Sequence, residues 1–162
     1  MSDHAEVLVF NTPEPKQVGV EVLSRLVADG IVQSTVTDCT VDGPGYLKGP
    51  SAEKATRYVN QARSLSIRYH EGGALYSSPE GGGWLTCPSC HQRLEDERVS
   101  DVPNPLKCHR CLGEWLLGEW TLHGCAFGTV AFFFWDWVLR DGFIDQVHAW
   151  ANAPLVRIHY HL

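Results

Sequence analysis

The sequence has little that would carry it into or across a membrane. No run approaches the ~18 uninterrupted apolar residues of a spanning helix, and the start Met1-Ser2-Asp3-His4-Ala5-Glu6 has neither the basic nor the apolar region of a signal peptide. The expectation is a cytoplasmic protein. Positive charge is also scarce: 13 Lys and Arg stand against 19 Asp and Glu, a formal charge of −6. Nucleic-acid surfaces carry clustered cationic footprints, so nucleic acid is disfavoured as a partner. An acidic surface serves plain solubility, and it also suits a basic protein partner approached by electrostatic steering. Catalytic signatures are missing too. The glycines of Gly43-Pro44-Gly45-Tyr46-Leu47-Lys48-Gly49 lack the GxxxxGK[ST] order of a phosphate loop. Cys39 lies in no cysteine-hydrolase signature, and it would need a neighbour such as His123 or His148 to act as a nucleophile.

Against these absences stand four cysteines in two pairs, Cys87-Pro88-Ser89-Cys90 and Cys108-His109-Arg110-Cys111, with 17 residues between the pairs. This is zinc-site spacing. Two residues between paired thiolates let one tight turn aim both sulfurs at one ion, and a second turn completes a tetrahedral four-sulfur shell with no vacancy for water or substrate. One structural Zn2+ held by Cys87, Cys90, Cys108 and Cys111 is therefore expected, with no catalytic residue assigned. His91 and His109 are less suited as ligands because four sulfurs already fill the shell. Cys39 and Cys125 are left over and read as buried free thiols.

In its knuckles this stretch resembles the zinc-ribbon family. Trp84-Leu85-Thr86 leads as a strand into the first pair, and Leu106-Lys107 leads into Cys108-His109-Arg110-Cys111-Leu112-Gly113. The resemblance covers roughly residues 84–118. Ribbons commonly carry Gly one or two places after each pair, which Gly113 satisfies and His91 does not. The resemblance implies a metal and a small β-element rather than a role. Between the knuckles, Leu94-Glu95-Asp96-Glu97-Arg98-Val99-Ser100-Asp101 is acidic where a nucleic-acid ribbon more often presents Lys and Arg.

At 162 residues and 44% hydrophobic content the chain can bury a core of its own. Glu6-Val7-Leu8-Val9-Phe10 reads as a buried strand, Pro15 to Asp29 as a helix and Ile31 to Thr40 as a second strand. After a turn-rich segment, Ser51 is placed to cap a helix running to about Leu65, with Ala55, Tyr58, Val59, Ala62 and Leu65 on one side. Ile67 to Tyr76 reads as a strand interrupted at Gly72-Gly73, and Ser77 to Gly83 as a flexible hinge. Gly128 to Trp137 reads as a central strand, Phe143 to Ala151 as a helix, and Leu155 to Leu162 as a final strand. Two β-α-β ends predict an α+β body, ferredoxin-like or a related sandwich, made of residues 1–76 and 119–162. A zinc-ribbon element at 77–118 is inserted in it.

Other residues carry weaker signals. His159 and His161 share one face of the last strand and could hold a second metal, but no spaced carboxylate accompanies them, which favours a solvated face. Asp136, Asp141 and Asp145 fit helix-dipole positions near the second helix. The six tryptophans cluster in the metal segment and second half. Trp115 and Trp120 are expected to be exposed, and with the knuckle residue His109 they form the candidate partner-binding set. The functional expectation is a non-enzymatic protein-binding module of bacterial type, such as an immunity protein or inhibitor of a basic partner. The alternatives are a nucleic-acid or transcription-related ribbon protein and an enzyme with a site between body and ribbon.

Overall fold

Val130 to Trp135 is apolar on both faces of the strand it forms, and every one of these residues is buried in the centre of the sheet. The computed structural model describes residues 3–38, 40–79, 82–95 and 102–162. Its elements are β1 (His4–Phe10), α1 (Pro15–Ala28), β2 (Val32–Thr37), β3 (Gly45–Lys48), β4 (Ser64–Ser77), β5 (Trp84–Thr86) and β6 (Arg93–Glu95). They continue with β7 (Leu106–Lys107), β8 (Glu114–Trp115), β9 (Thr121–His123), β10 (Cys125–Trp135), α2 (Asp141–Ala151) and β11 (Leu155–His161). Six strands form one antiparallel sheet in the order β11-β1-β10-β4-β3-β2. The result is a mixed α/β fold, mostly strands, with two helices. Neither helix is long and apolar enough to cross a membrane.

Strand periodicity sends alternate side chains to opposite faces. On one face Leu8, Phe10, Phe132, Phe134 and Leu65 meet Val18, Val22 and Leu26 of α1 and Phe143 and Val147 of α2. The helix α2 ends at Asn152, whose left-handed φ of 48° closes it just before Pro154. On the opposite face Val7, Val9, Ala131, Phe133, Trp135 and Ile158 form a second core. The strand after α1, β2, is not beside β1: it lies at the far edge, with β10, β4 and β3 between them.

The second core is enclosed by a bend in the β4/β10 ribbon. The expected interruption at Gly72-Gly73 is a bulge inside a continuous β4: pairing passes from Tyr69↔Val130 to Ala74↔Gly128, so residues 70–73 face Thr129 alone. Gly72 and Gly73 absorb the excess at φ 78° and 86°, in the left-handed region that only glycine enters cheaply. The ribbon beyond them curls back over the sheet. Tyr76 reaches Phe133, ring centroids 6.1 Å apart, although Phe133 pairs with Ser66 in register. At the same end the His161 amide donates to Ser78 Oγ at 3.2 Å.

The helix expected from Ser51 to Leu65 does not form; only Ala52–Lys54 makes a single 3-10 turn. The cause lies far away in sequence. Thr56 Oγ1 accepts the Val138 amide and donates to the Val138 carbonyl, both at 3.1 Å. The Arg57 amide donates to Val138 and the Arg140 amide to Ala55, both at 2.9 Å. This backbone keeps only isolated turns of its own, such as Thr56 to Ala52 and Ala62 to Tyr58, and at residues 55–57 pairs with residues 138–140; its apolar positions Ala52, Ala55 and Ala62 are buried all the same.

Between β4 and β10 the chain builds a separate small element. Strands β6-β5-β9 form a three-stranded sheet and β7-β8 a two-stranded one. The pairing of β9 with β5 draws residues 121–123 into this element, beyond the expected boundary at 118. A third core of Leu85, Leu106, Leu117 and Trp120 packs with Leu75 and Phe127 from the ribbon end. The inserted element thus caps the curled ribbon. The expected hinge includes residues 80 and 81, and the acidic loop residues 96–101, all of which lie outside the described residues.

Candidate metal centre

Two short hairpins carry the four cysteines. Cys87 follows β5 and the chain returns as β6; Cys108 follows β7 and returns as β8. The two turns repeat one hydrogen-bond pattern. The His91 amide donates to the Cys87 carbonyl at 3.0 Å, as the Leu112 amide does to Cys108 at 2.9 Å. The Cys87 amide donates to Gln92 at 3.0 Å, as the Cys108 amide does to Gly113 at 2.9 Å. Each turn needs a left-handed residue directly after its pair, taken by His91 at φ 56° and Leu112 at φ 61°. Gly113, the residue that the ribbon resemblance favours, does not hold that conformation; Leu112 does. A left-handed non-glycine residue costs roughly 1–2 kcal/mol, and histidine tolerates it better than leucine.

The paired turns bring the sulfurs together. Cys87 Sγ lies 3.7 Å from Cys111 Sγ, and Cys90 Sγ lies 3.6 Å from Cys108 Sγ. All four sulfurs lie within 4.8 Å of one another. Metal–sulfur bonds of about 2.3 Å make a tetrahedron with sulfur–sulfur edges of about 3.8 Å. The observed spacing therefore fits a single ion held by four sulfurs. Among the described residues this is the one group of three or more His, Cys, Asp or Glu side chains placed to share a metal.

The thiols do not titrate independently. The backbone amide of Cys111, aided by that of Arg110 and by the neighbouring thiols, lowers Cys108 to about 6. At Cys111 the Gly113 amide pulls downward, but burial and the hydrogen bonds with Cys108, Cys87 and Cys90 carry the group up to about 11. Amides pointing at sulfur stabilise a thiolate, whereas several adjacent thiolates repel one another until a cation neutralises them.

The surroundings hold the turns in place. Cys87 and Cys108 are buried, Cys90 is half-buried and Cys111 is exposed. Asn104 Oδ1 accepts the Leu117 amide at 3.0 Å, and the Glu119 carboxylate accepts the Leu116 amide at 2.8 Å. Cys125, from β10, is a buried thiol whose Sγ donates to the Trp84 carbonyl at 3.7 Å. Burial raises it against a smaller opposing pull from the His123 backbone. Trp84 stacks on His123 at 4.8 Å and carries the Arg93 guanidinium over its ring at 4.1 Å. This stack was not legible beforehand: its three members are close only because β5 lies between β6 and β9.

The candidate contact residues have different fates. His109 is exposed on the second turn and Trp115 is half-buried. Trp120 is not exposed as expected: only 4% of it is accessible, because its ring packs edge-on to Trp115 at 6.3 Å inside the element's core. Its Nε1 donates to the Trp115 carbonyl at 3.4 Å.

His159 and His161 lie on the last strand opposite Glu6 and His4, and both are exposed. His4 is turned to Asp136, with Nδ1 3.1 Å from Oδ1. Asp136 does not act at a helix end. It terminates β10 with φ 60° and joins Asp3 in binding Arg63. Asp141 does occupy the first turn of α2, where it also pairs with Arg157. Cys39, the remaining candidate nucleophile, lies outside the described residues.

Fold and site together define a mixed α/β chain, mostly antiparallel strands, with four cysteines clustered so that they could hold a metal ion. Compared with family models, curated proteins and solved structures, the chain shows no significant match to any of them. Its function is therefore argued from the site alone.

Proposed function

We propose that this protein is a non-enzymatic, cytosolic, zinc-containing protein-binding module in which the zinc scaffolds a recognition surface. The observation that carries this reading is the four-sulfur cluster. Four protein ligands leave a zinc ion no open position for water or substrate, so the metal stabilises and does not catalyse. The soft, all-thiolate donor set favours zinc among the abundant divalent ions. Paired turns on short hairpins support a zinc-ribbon assignment for the element. The strand order β11-β1-β10-β4, with α1 and α2 on one face, supports a ferredoxin-like body extended at one edge by β3 and β2. With a charge of −6 the body suits a basic partner, and an immunity protein or inhibitor of a basic bacterial protein is a concrete form of that role.

Nucleic-acid binding has less support. Two of the element's three tryptophans are poorly placed as stacking platforms, because Trp84 is covered by His123 and Arg93 and Trp120 is buried. The test is capture with the tagged, zinc-loaded full chain, followed by reciprocal capture and measurement of complex stoichiometry. A protein complex of fixed stoichiometry is expected. Repeated recovery of no protein partner, or of nucleic acid alone in a salt-dependent manner, would overturn the proposal.

A further inference from the structure

Two histidines stand side by side at the β11 edge of the six-stranded sheet. His4 of β1 is the register partner of His161 of β11, and their ring centroids lie 6.2 Å apart with the planes tilted by 33°. Cross-strand partners share a face, so both rings lie on the side that carries Glu6 and Leu8. The backbone is fixed at both positions. The Asp136 amide donates to the His4 carbonyl and the Leu162 amide to the Asp3 carbonyl, each at 2.8 Å. Ser78 Oγ accepts the His161 amide at 3.2 Å.

Asp136 decides which nitrogen of His4 is offered. Its Oδ1 lies 3.1 Å from His4 Nδ1, while its Oδ2 accepts from Arg63. A carboxylate has no proton to give, so a neutral His4 ring holds its proton on Nδ1 and its lone pair on Nε2. This is the carboxylate–histidine arrangement that orients metal-ligating imidazoles and raises their basicity. No carboxylate at a metal-like spacing accompanies His159 and His161 in sequence; the fold brings one behind His4 from the end of β10.

The ring separation suits a shared ion. Two imidazoles bound to one metal through bonds of about 2.0–2.1 Å have centroids about 4.5–6.5 Å apart. The His4 side chain is 39% accessible and His161 is exposed, so an ion reaches both from solvent. We propose that His4 and His161 form a second metal site, which takes an exchangeable divalent transition ion such as Zn2+. Imidazole donors suit zinc, copper and nickel. Two protein ligands leave a four-coordinate zinc two positions for water or an incoming ligand, so this ion exchanges, unlike one enclosed by four sulfurs. The site depends neither on the cysteine cluster nor on the protein-binding reading.

The test is calorimetric titration of Zn2+ into the untagged full chain already carrying one zinc, with amide NMR spectra recorded at each addition. One further Zn2+ per chain is expected, shifting the signals of residues 4 and 161 and leaving those of Cys87 and Cys108 in place. His4→Gln and His161→Gln should each weaken this second event roughly tenfold or more, whereas His159→Gln should leave it unchanged. Ring-nitrogen NMR at about pH 8, before the second ion is added, should find the His4 proton on Nδ1. A proton on Nε2 would overturn the proposal. So would a second event that survives both His4→Gln and His161→Gln, one lost in His159→Gln instead, or none at all. Each of these results leaves the protein-binding reading standing.

Discussion

Cys90 Sγ lies 3.6 Å from Cys108 Sγ, so the inner cysteines of two turns separated by 17 residues face each other directly. Because the turns sit on different hairpins, an ion held by the four sulfurs would link β5-β6 to β7-β8. Structural zinc contributes about 10–16 kcal/mol in isolated finger peptides. Metal assay should give one zinc per chain. Chelation should abolish amide-exchange protection in the described parts of residues 84–123 while Val7 to Phe10 and Val130 to Trp135, buried in their own cores, keep theirs. Full protection of the element without metal would contradict the structural role.

Zinc affinity should rise with pH. Zinc takes thiolates, and the metal-free Cys111 holds its proton up to about 11, so binding at neutral pH displaces that proton. Below about 6, where Cys108 also protonates, affinity should fall more steeply. Competition titrations with a chromogenic chelator between pH 5.5 and 8.5 read the slope. A flat profile would mean that the cluster is already fully ionised without metal.

How much was readable in the sequence depended on how local its cause was. The cysteine pairs, the apolar run at Val130 to Trp135 and the strand β11 are local patterns, and each recurs in the structure where its spacing places it, although on the expected apolar face of β11 Ile158 is buried and Val156 is exposed. The helix expected after Ser51 failed because Thr56 answers to Val138, 82 residues away, and no periodicity encodes that pairing. Trp120 was misjudged for a similar reason, since it is buried in a core gathered from residues as distant in sequence as Leu75, Leu85 and Leu106. The glycine that the ribbon resemblance looks for is present at Gly113, but the left-handed residue of the turn is Leu112, which residue type alone does not reveal.

The bend in β4 yields a contrast between adjacent glycines. Gly72 and Gly73 share a positive φ, but a Cβ on Gly72 would meet open space, whereas one on Gly73 would collide with the Phe127 ring. Gly72→Ala should cost about 1 kcal/mol from backbone strain alone. Gly73→Ala should cost about 2–3 kcal/mol, because the ring that seats the metal element on the ribbon must also move. Denaturant unfolding compares the two, and equal losses would remove Phe127 from the explanation.

Glu6 is buried on the helical face of β1, with Arg157 Nη2 2.8 Å from its carboxylate. Replacing Arg157 with Met strands a buried charge and should cost about 3–5 kcal/mol. Replacing both residues with Leu should recover most of that loss, since the pair balances its own desolvation. A double variant as unstable as the single one would show that packing, not charge, is what Arg157 supplies.

Tyr76 and Cys125 set an alkaline limit on stability. Burial raises both acids, opposed at Tyr76 by the Arg68 charge and at Cys125 by the His123 backbone. An acid whose folded pKa exceeds its unfolded value binds its proton more tightly when folded. Its contribution is complete below the unfolded pKa, about 8.5 for a thiol and 10 for a phenol, and is lost as pH rises through the folded value. The melting temperature should therefore decline above about pH 8.5, and the decline should be shallower in Cys125→Ala. Tyr76→Phe tests the same balance at neutral pH. The buried Tyr76 hydroxyl has no hydrogen-bond partner among the described residues, so removing it sheds an uncompensated desolvation of about 1 kcal/mol and should leave the protein as stable or more so. The ring's edge-on contact with Phe133, which closes the second core, is kept in that variant. A loss of more than about 1 kcal/mol on this substitution would mean that the hydroxyl is bonded after all, and that the curl of the ribbon depends on it.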